Sequence, residues 1–354
     1  MDTYGYMYRS SFDASTPSSN LLASDDDSGG NGQFQLTVYL TSGTTYILVV
    51  TTYIPGVVGP FSIIASGPAI VVFTLIVIPT PTGTTVPTST TTANNSCNAK
   101  PGSIVIADTK PKAPSGRSLS SPITYHGGPV MTNSVIYVIW YGNWTANNGT
   151  TIIQNFLQGL GSTAWWNITR RYNNTSPITF GRSTTDSYSQ GKILNESLIF
   201  AIVQRAINSG ALPNDTNGVY FVLTSADCTE SYFCRLACGW HTVNVRSNLK
   251  YSWVGNPEQL CPSDCSYQLV SPNGNAGADA MVSVIAHEAA ETVSDPYLNA
   301  WYDSACDENA DKCAWTFGST SLASNGAAYN MVVNGLKYLV QQNWRLTTQD
   351  CGML

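Results

Sequence analysis

The sequence predicts a mixed α/β domain that follows an all-β sandwich fragment in the same chain. Short alternating segments separated by turn residues fill about the first 75 residues, which is typical of β-strands. From about residue 120, apolar strands alternate with segments of helical period. Between them lies a stretch rich in Thr and Pro that has no aromatic residue to form a core. We therefore assign residues 1–78 to the sandwich fragment, 79–118 to a linker and 119–354 to the α/β domain.

The N-terminal fragment contains three segments with the pattern of strands, at residues 4–8, 34–40 and 46–53. Its opening Asp-Thr-Tyr, an acidic turn with two glycines and a Gly-Thr-Thr-Tyr-Ile-Leu-Val-Val strand resemble the bacterial pre-peptidase C-terminal type of β-sandwich. The resemblance implies a module that accompanies secreted peptidases and other extracellular enzymes and acts in binding or targeting. The match begins partway into the usual pattern, so we expect a truncated start.

The α/β domain is predicted to contain three helices between its strands. Apolar runs predict strands at 134–141, 218–224, 241–245 and 251–254, and helical spacing predicts helices at 151–160 and 194–209. The third helix covers residues 281–295 and ends before Pro296, because proline disfavours helical geometry in the residue before it.

The third helix carries His287, Glu288 and Glu291. Residues four apart lie one above the other on a helix, so His287 and Glu291 face the same way, with Glu288 beside them. This is the layout of a His-Glu-x-x-His zinc-hydrolase helix with glutamate in the second ligand position, and it predicts a zincin-like helix. In this interpretation His287 and Glu291 bind a divalent metal, zinc by preference. Glu288 is then the general base that acts on a metal-bound water.

The surroundings of these side chains favour a metal over simple packing. Eight of the ten residues 281–290 are small or apolar, and burying one His and two Glu among them is costly unless they pair or ligate something. Glu308 or Asp311, from the acidic stretch after the helix, is predicted to complete the site. A closed zinc site with four protein ligands and a purely structural role stays open as an alternative.

Composition argues against two classes of partner. Charged residues make up 11% of the chain, its net charge is −6 and no basic run occurs, which disfavours nucleic acid and anionic membranes. The apolar run at 69–78 is too short to cross a bilayer and is predicted to be a buried strand. We expect no nucleic-acid partner and no membrane span.

Cysteines and glycosylation motifs indicate the secretory route. Eight of the nine cysteines lie beyond residue 227, and the sequon Asn-x-Ser/Thr occurs eight times. The odd count leaves one cysteine unpaired or bonded to another chain, with Cys97 in the linker as the candidate. The first residues lack the basic and apolar regions of a signal peptide, so we expect the natural start to be missing.

Disulfide bridges between cysteines that are near neighbours in sequence are expected, without a fixed connectivity. The expected pairs are Cys261 with Cys265, Cys306 with Cys313, and Cys238 with Cys234 or Cys228.

Six ordered motifs lie between about residue 120 and residue 354. They are Tyr125-His-Gly-Gly-Pro-Val130, Val135-Ile-Tyr-Val-Ile-Trp-Tyr-Gly-Asn-Trp144, Cys234-Arg-Leu-Ala-Cys-Gly-Trp-His241, Tyr251-Ser-Trp-Val-Gly-Asn256, Cys261-Pro-Ser-Asp-Cys265 and Val333-Asn-Gly-Leu-Lys-Tyr-Leu339. Together these motifs resemble the Exordium or phosphate-induced protein family. The resemblance implies a protein that land plants secrete to the apoplast, linked to growth and cell-expansion signalling and without an established catalytic activity.

Two functional hypotheses follow. The first is an extracellular protein with a zinc site of metallohydrolase layout that acts as a metal-dependent peptidase on a peptide substrate. The second is a non-catalytic protein that binds extracellular matrix or glycans, or takes part in growth signalling. His126 and His241 are expected to be structural, hydrogen-bonded to the backbone. The candidate ligand-binding aromatics of the second hypothesis are Trp140, Trp144, Trp165, Trp166, Trp240 and Trp253.

Overall fold

The computed structural model describes residues 3–12, 19–25, 33–38, 40–41, 44–52, 63, 105–108, 121–145, 148–173 and 176–354. The chain divides into two compact units, Met1–Thr88 and Ser89–Leu354, and each is described by itself. The predictions for Cys97, for the apolar run at 69–78 and for most of the linker fall outside the described residues.

The first unit contains a three-stranded antiparallel sheet in the order β2-β1-β3. Its strands are β1 (Thr3–Arg9), β2 (Leu21–Asp25) and β3 (Tyr46–Thr52). The predicted strands at 4–8 and 46–53 correspond to β1 and β3. The predicted strand at 34–40 is not formed by its described residues, and β2 instead pairs with β1. A second sheet, which a sandwich requires, is not found among the described residues of this unit.

The second unit combines strands and helices, which confirms the prediction of a mixed α/β fold. Its described helices are α1 (Gly149–Leu160), α2 (Trp166–Thr169), α3 (Glu196–Asn208), α4 (Ala276–Ser294) and a 3₁₀ helix at Asp311–Cys313. Its strands are β4 (Val105–Asp108), β5 (Thr124–Tyr125), β6 (Val135–Tyr141), β7 (Thr179–Asp186), β8 (Ile193–Leu194), β9 (Gly218–Thr224), β10 (Thr229–Glu230), β11 (Ala237–Asn244), β12 (Leu249–Val254), β13 (Trp301–Tyr302), β14 (Ser321–Leu322), β15 (Ala328–Tyr329), β16 (Met331–Val333), β17 (Leu336–Tyr338), β18 (Asn343–Arg345) and β19 (Asp350–Gly352).

Six of these strands form one mixed sheet in the order β4-β11-β12-β9-β6-β7. The strands β12, β9, β6 and β7 run parallel to one another, whereas β11 is antiparallel to both of its neighbours, β12 and β4. All seven residues of β9 are buried, as expected for a parallel strand covered on both faces. The edge strand β4 comes from the stretch that the sequence assigns to the linker.

Helices cover both faces of this sheet. Helix α4 packs against α1, β11 and β12, and α3 packs against β9 and β12. The ring centroids of Tyr251 in β12 and Phe200 in α3 lie 5.1 Å apart. On the other face, Gly239 of β11 faces Val284 of α4, where a Cβ atom would lie 2.7 Å from Val284 Cγ1. The absence of a side chain at Gly239 therefore lets α4 lie close to the sheet.

Three disulfides in the described residues replace the expected pairs of near neighbours. They join Cys234 to Cys261, Cys238 to Cys265 and Cys313 to Cys351, with Cα–Cα distances of 5.5, 5.5 and 5.6 Å. The expected Cys261–Cys265 and Cys306–Cys313 bridges are wrong. Cys261 and Cys265 lie on one helical turn, closed by the bond from Cys265 N–H to Cys261 C=O, and both side chains reach across to the segment around β11. The free cysteine among the described residues is the buried Cys228.

Candidate metal centre

Helix α4 places His287, Glu288 and Glu291 in the interior. The helix begins with Asn275 as N-cap, whose side-chain oxygen accepts a hydrogen bond from Ala278 N–H. It ends at the residue before Asp295, whose N–H bonds back to Glu291 C=O, and the helix is longer than predicted at its N-terminus. Fifteen of its nineteen residues are buried, so its functional side chains do not face solvent.

Three further side chains join these residues from other parts of the chain: His241 from β11, and Glu308 and Asp311 from the loop after α4. The cluster thus unites every metal ligand that the sequence predicts. We call these six residues the acidic cluster, and all are buried. Their exposed fractions are 1% for His241, 1% for His287, 0% for Glu288, 0% for Glu291, 3% for Glu308 and 6% for Asp311.

His241 reaches the cluster because of the alternation of β11. Residues two apart on a strand share a face, and Gly239 faces α4, so His241 also points toward this helix. The sequence favoured a structural role for His241, and its place in the cluster was missed. The sequence feature that could have indicated this position is that His241 lies two residues after Gly239. This spacing is informative only once α4 is known to pack on that face of β11.

The loop after α4 is fixed by its own contacts. Asp311 N–H donates to Glu291 Oε1 at 2.9 Å, which attaches the start of the 3₁₀ helix directly to α4. The next residue, Lys312, is buried and bonds Asp303 Oδ2 and Ser121 C=O, each at 2.7 Å. These contacts fix the backbone of the loop and therefore hold Glu308 and Asp311 in position.

The imidazole of His241 is oriented by Glu288. Its Nδ1 lies 3.0 Å from Glu288 Oε2, and its Nε2 lies 3.7 Å from Glu308 Oε2. Burial and the charge repulsion of the nearby His287 lower the pKa of His241 to about 3. The ring is therefore neutral and carries one proton. Because a carboxylate accepts hydrogen bonds, we assign that proton to Nδ1, which leaves the lone pair of Nε2 directed at Glu308.

His287 has the same arrangement with a different partner. Its Nδ1 lies 3.2 Å from Gln341 Oε1, and the Gln341 amide is oriented by its own donation to Ala310 C=O at 2.9 Å. The other nitrogen, Nε2, lies 3.1 Å from Glu291 Oε1 and 3.5 Å from Asp311 Oδ1. Burial alone would lower the pKa of His287, but the carboxylates of Glu291 and Asp311 raise it well above its usual value. The position facing Nε2 therefore attracts a cation.

The carboxylates themselves are costly in this environment. Burial, together with the charge of Asp311, raises the pKa of Glu291 to about 7. Burial and the charge of Glu291 raise the pKa of Glu308 well above its usual value. Neither carboxylate oxygen of Glu308 receives a hydrogen bond from the described residues. A buried carboxylate in this state requires a proton or another cation nearby.

Two sets of side chains in the cluster have the donor atoms and the spacing that a divalent metal requires. The first set is His241, Glu291 and Glu308, and the second is His287, Glu291 and Asp311. Within each set one ligand atom per residue lies within 4.8 Å of the others. Zinc accepts imidazole nitrogen and carboxylate oxygen, and its histidine ligands usually donate their other N–H to a carboxylate or carbonyl oxygen. The residues therefore fit a divalent cation.

A small cavity lies next to the cluster on the α4 side. It has a volume of about 30 Å³, and His287 contributes to its wall together with Gln341 and the aromatic residues Tyr267, Trp315 and Phe317. A cavity of this size accommodates a water molecule.

Other residues that the sequence singled out lie elsewhere. His126 Nε2 lies 3.1 Å from Tyr302 C=O and its ring stacks on that of Tyr302, in agreement with a structural role. The six tryptophans proposed as ligand-binding aromatics are buried, with exposed fractions of 9% or less, so they do not form a surface platform. These are Trp140, Trp144, Trp165, Trp166, Trp240 and Trp253.

Comparison with known proteins identifies the family. The sequence profile described as "Phosphate-induced protein 1 conserved region" matches residues 123–354, and the chain therefore belongs to this family. This confirms the resemblance seen in the sequence motifs. No solved structure matches the chain, so the zincin-like architecture stays a prediction.

Curated plant proteins are similar over the same region. Protein EXORDIUM-like 3 of Arabidopsis thaliana is 34% identical over 278 residues, which cover 65% of this chain and 82% of the relative. Protein EXORDIUM-like 5 of the same plant is 34% identical over 280 residues, or 65% of this chain and 77% of the relative. Protein PHOSPHATE-INDUCED 1 of Nicotiana tabacum is 25% identical over 283 residues, or 66% and 88%.

Proposed function

We propose that the chain is an extracellular metalloprotein that binds zinc in the acidic cluster. The observation that carries the proposal is the orientation of the two histidines. In each ring Nδ1 faces a fixed acceptor, Glu288 or Gln341, while Nε2 faces buried carboxylate oxygens. A lone pair and a carboxylate repel each other unless a cation lies between them. Zinc bound by His287, Glu291, Asp311 and Glu308, with His241, satisfies this requirement.

The competing cation is a proton, which would convert the cluster into a set of ionic hydrogen bonds. A proton on His287 Nε2 suits Glu291 and Asp311, but Glu308 would then have to be buried in its protonated form. A divalent ion supplies more positive charge at the same place and binds oxygen and nitrogen together. The arrangement is better suited to a metal than to a single proton.

Exposed sequons and disulfides support the extracellular location. Six sequon asparagines lie among the described residues, and all six are exposed, so glycans could be attached without disturbing the core. Three disulfides in the same unit suit an oxidising compartment. Among the described residues no helix has the length and apolar character needed to cross a membrane.

The metal proposal is tested by elemental mass spectrometry on the chain secreted from a eukaryotic host. We expect at least one zinc per chain, with a lower zinc content after His287→Ala and an unchanged content after His126→Ala, the matched control outside the cluster. Near-UV circular dichroism establishes that each variant is folded. Absence of metal from both the unmodified chain and the control would contradict the proposal.

Hydrolysis is a second candidate function, with peptides as the substrate by analogy of layout alone. The cavity beside His287 is large enough for the water molecule that hydrolysis consumes. A divalent ion at this position supplies Lewis-acid chemistry and an activated water. Glu288 is the general base in this proposal. Its Oε2 contacts His241 Nδ1, so the base would act through Oε1.

The hydrolysis proposal is tested with a peptide library and the Glu288→Gln variant. Glutamine keeps an acceptor for His241 but cannot take a proton. We expect chelator-sensitive cleavage by the unmodified chain and none by the variant, while both hold the same amount of zinc. Unchanged cleavage by the variant, or no cleavage by the unmodified chain, would favour the non-catalytic matrix-binding or signalling role.

A further inference from the structure

We infer that the acidic cluster is a dinuclear centre, in which two divalent cations are bridged by Glu291. The inference rests on the proposed metal centre and extends it to a second metal subsite built on His241. We define the His241 subsite as His241, Glu308 and Glu291, and the His287 subsite as His287, Asp311 and Glu291.

Glu291 has the geometry of a bridging carboxylate. Its Oε1 lies 3.1 Å from His287 Nε2, whereas its Oε2 lies beside the ring of His241, 3.7 Å from the Nδ1 that Glu288 orients. One oxygen or nitrogen atom each from His241, Glu291 and Glu308 lies within 4.8 Å of the others. Oε2 receives no hydrogen bond from the described residues, although Glu291 is 0% exposed. The two oxygens thus face different histidines, which is the arrangement expected of a carboxylate that binds one cation through each oxygen.

The two subsites are otherwise independent. Each has its own histidine and its own second carboxylate, Glu308 in one and Asp311 in the other. The two histidines approach from different elements, β11 and α4, and Nδ1 of each is held by a different residue. An ion in one subsite alone would leave the histidine and the second carboxylate of the other subsite unused. The unpartnered His241 Nε2 and Glu308 oxygens belong to the subsite that a single ion at His287 would not fill.

Charge balance favours two ions. The cluster contains four buried carboxylates, Glu288, Glu291, Glu308 and Asp311, and two histidines. Neighbouring buried charges are already satisfied: Lys312 is paired with Asp303, and Asp295 accepts three backbone N–H groups. With both rings neutral, one divalent ion would leave two negative charges uncompensated in the interior, and two divalent ions neutralise the four carboxylates. Three protein ligands per ion also leave room for solvent, as in catalytic rather than closed sites.

The test is the zinc stoichiometry of four near-isosteric variants of the full secreted chain, measured by mass spectrometry after equilibration with buffered free zinc. We expect two zinc ions per unmodified chain, corresponding to the two subsites. Glu308→Gln should hold one, since it alters only the His241 subsite. Asp311→Asn should also hold one, and Glu291→Gln should lose affinity for both. Glu258→Gln, whose side chain lies outside the cluster, is the control and should hold two.

Three results would overturn the inference, and they separate it from the metal proposal. One zinc in the unmodified chain and also in Glu308→Gln indicates a mononuclear site at His287, which leaves the metal proposal intact. Two zinc ions in both Glu308→Gln and Asp311→Asn place the ions elsewhere. Absence of zinc from all chains contradicts both proposals. Near-UV circular dichroism on each variant distinguishes loss of a ligand from loss of the fold.

Discussion

At the scale of single residues, the main finding is that Glu288 contacts a histidine from the sheet. The sequence motif places Glu288 beside His287 as a base, but its Oε2 lies 3.0 Å from Nδ1 of His241. A carboxylate in this position fixes the ring and its tautomer and makes Nε2 a better ligand. We therefore assign Glu288 an orienting role, whether or not it also acts as a base.

This role predicts a loss of metal affinity in Glu288→Ala. Removal of an outer partner of a histidine ligand typically weakens metal binding by about 10–100-fold. We expect a decrease in this range, measured by competition with a chromophoric chelator. Glu288→Gln, which keeps an acceptor for Nδ1, should lose much less. Unchanged affinity in Glu288→Ala would show that His241 does not depend on this carboxylate.

A second residue-scale prediction concerns stability at low pH and a site away from the cluster. Burial alone would raise the pKa of Asp227, but hydrogen bonds from Lys192, Ser225 and Tyr188 lower it to about 2. Because the folded-state pKa lies below the unfolded value of about 3.8, this carboxylate stabilises the fold above that value. Its contribution is lost as the pH falls from about 4 to about 2.

The measurement is the free energy of unfolding as a function of pH for the unmodified chain and for Asp227→Asn. We expect the variant to be less stable at pH 6, with the difference shrinking between pH 4 and 2. A difference that is constant over this range would contradict the pKa shift as its cause.

At the scale of elements, the sequence predicts the helices and central strands well but not how they meet. The buried helix and its end at Pro296 follow from local residues, and so does the apolar strand β9. His241 and Cys238 could not be assigned in this way, because their partners depend on which helix and loop pack on β11. Glu308 and Asp311 could be predicted as ligands because they follow α4 closely in the sequence. The prediction needed only the assumption that the short loop after α4 folds back onto this helix.

The loop that carries Glu308 and Asp311 gives an element-scale prediction. It is braced by the pair Lys312–Asp303, with exposed side-chain fractions of 1% and 0%. Lys312→Met leaves a buried carboxylate uncompensated, and breaking a buried pair in this way costs about 3–5 kcal/mol. Urea unfolding should show this loss and its partial recovery in the double variant with Asp303→Asn.

The matched control is Lys192→Met, which breaks the pair with Asp227, where the lysine side chain is 57% exposed. We expect its effect to be far smaller, since exposed pairs contribute about 0–1 kcal/mol. Equal losses in the two lysine variants would contradict a special role for the buried brace.

At the scale of the whole molecule, the cluster joins parts of the second unit that are far apart in sequence. It links β11, α4 and the loop around the 3₁₀ helix, and Cys313–Cys351 extends this connection to the C-terminal hairpin. Family membership and the α/β class could be predicted from motifs and periodicity. The edge strand β4 and the disulfide pairs could not, because both depend on contacts between distant segments.

A metal in this position should therefore stabilise the fold as a whole. A ligand that binds only the folded chain contributes about 2.7 kcal/mol at a free concentration of 100 times Kd. We expect zinc to raise the thermal unfolding midpoint by about 5–10 °C over the chelated chain, given about 2–4 °C per kcal/mol for a unit of this size. His287→Ala should show a much smaller dependence on zinc. An equal shift in both chains would indicate adventitious binding.

The most direct test of the metal centre is zinc-edge X-ray absorption on the metal-loaded chain. The acidic cluster predicts a first shell of nitrogen and oxygen only, at about 2.0–2.2 Å, with the outer scattering of imidazole. His287→Ala should weaken the imidazole signal. A first shell that contains sulfur, at about 2.3 Å, would place the metal on cysteine and contradict the assignment to His287, Glu291, Glu308, Asp311 and His241.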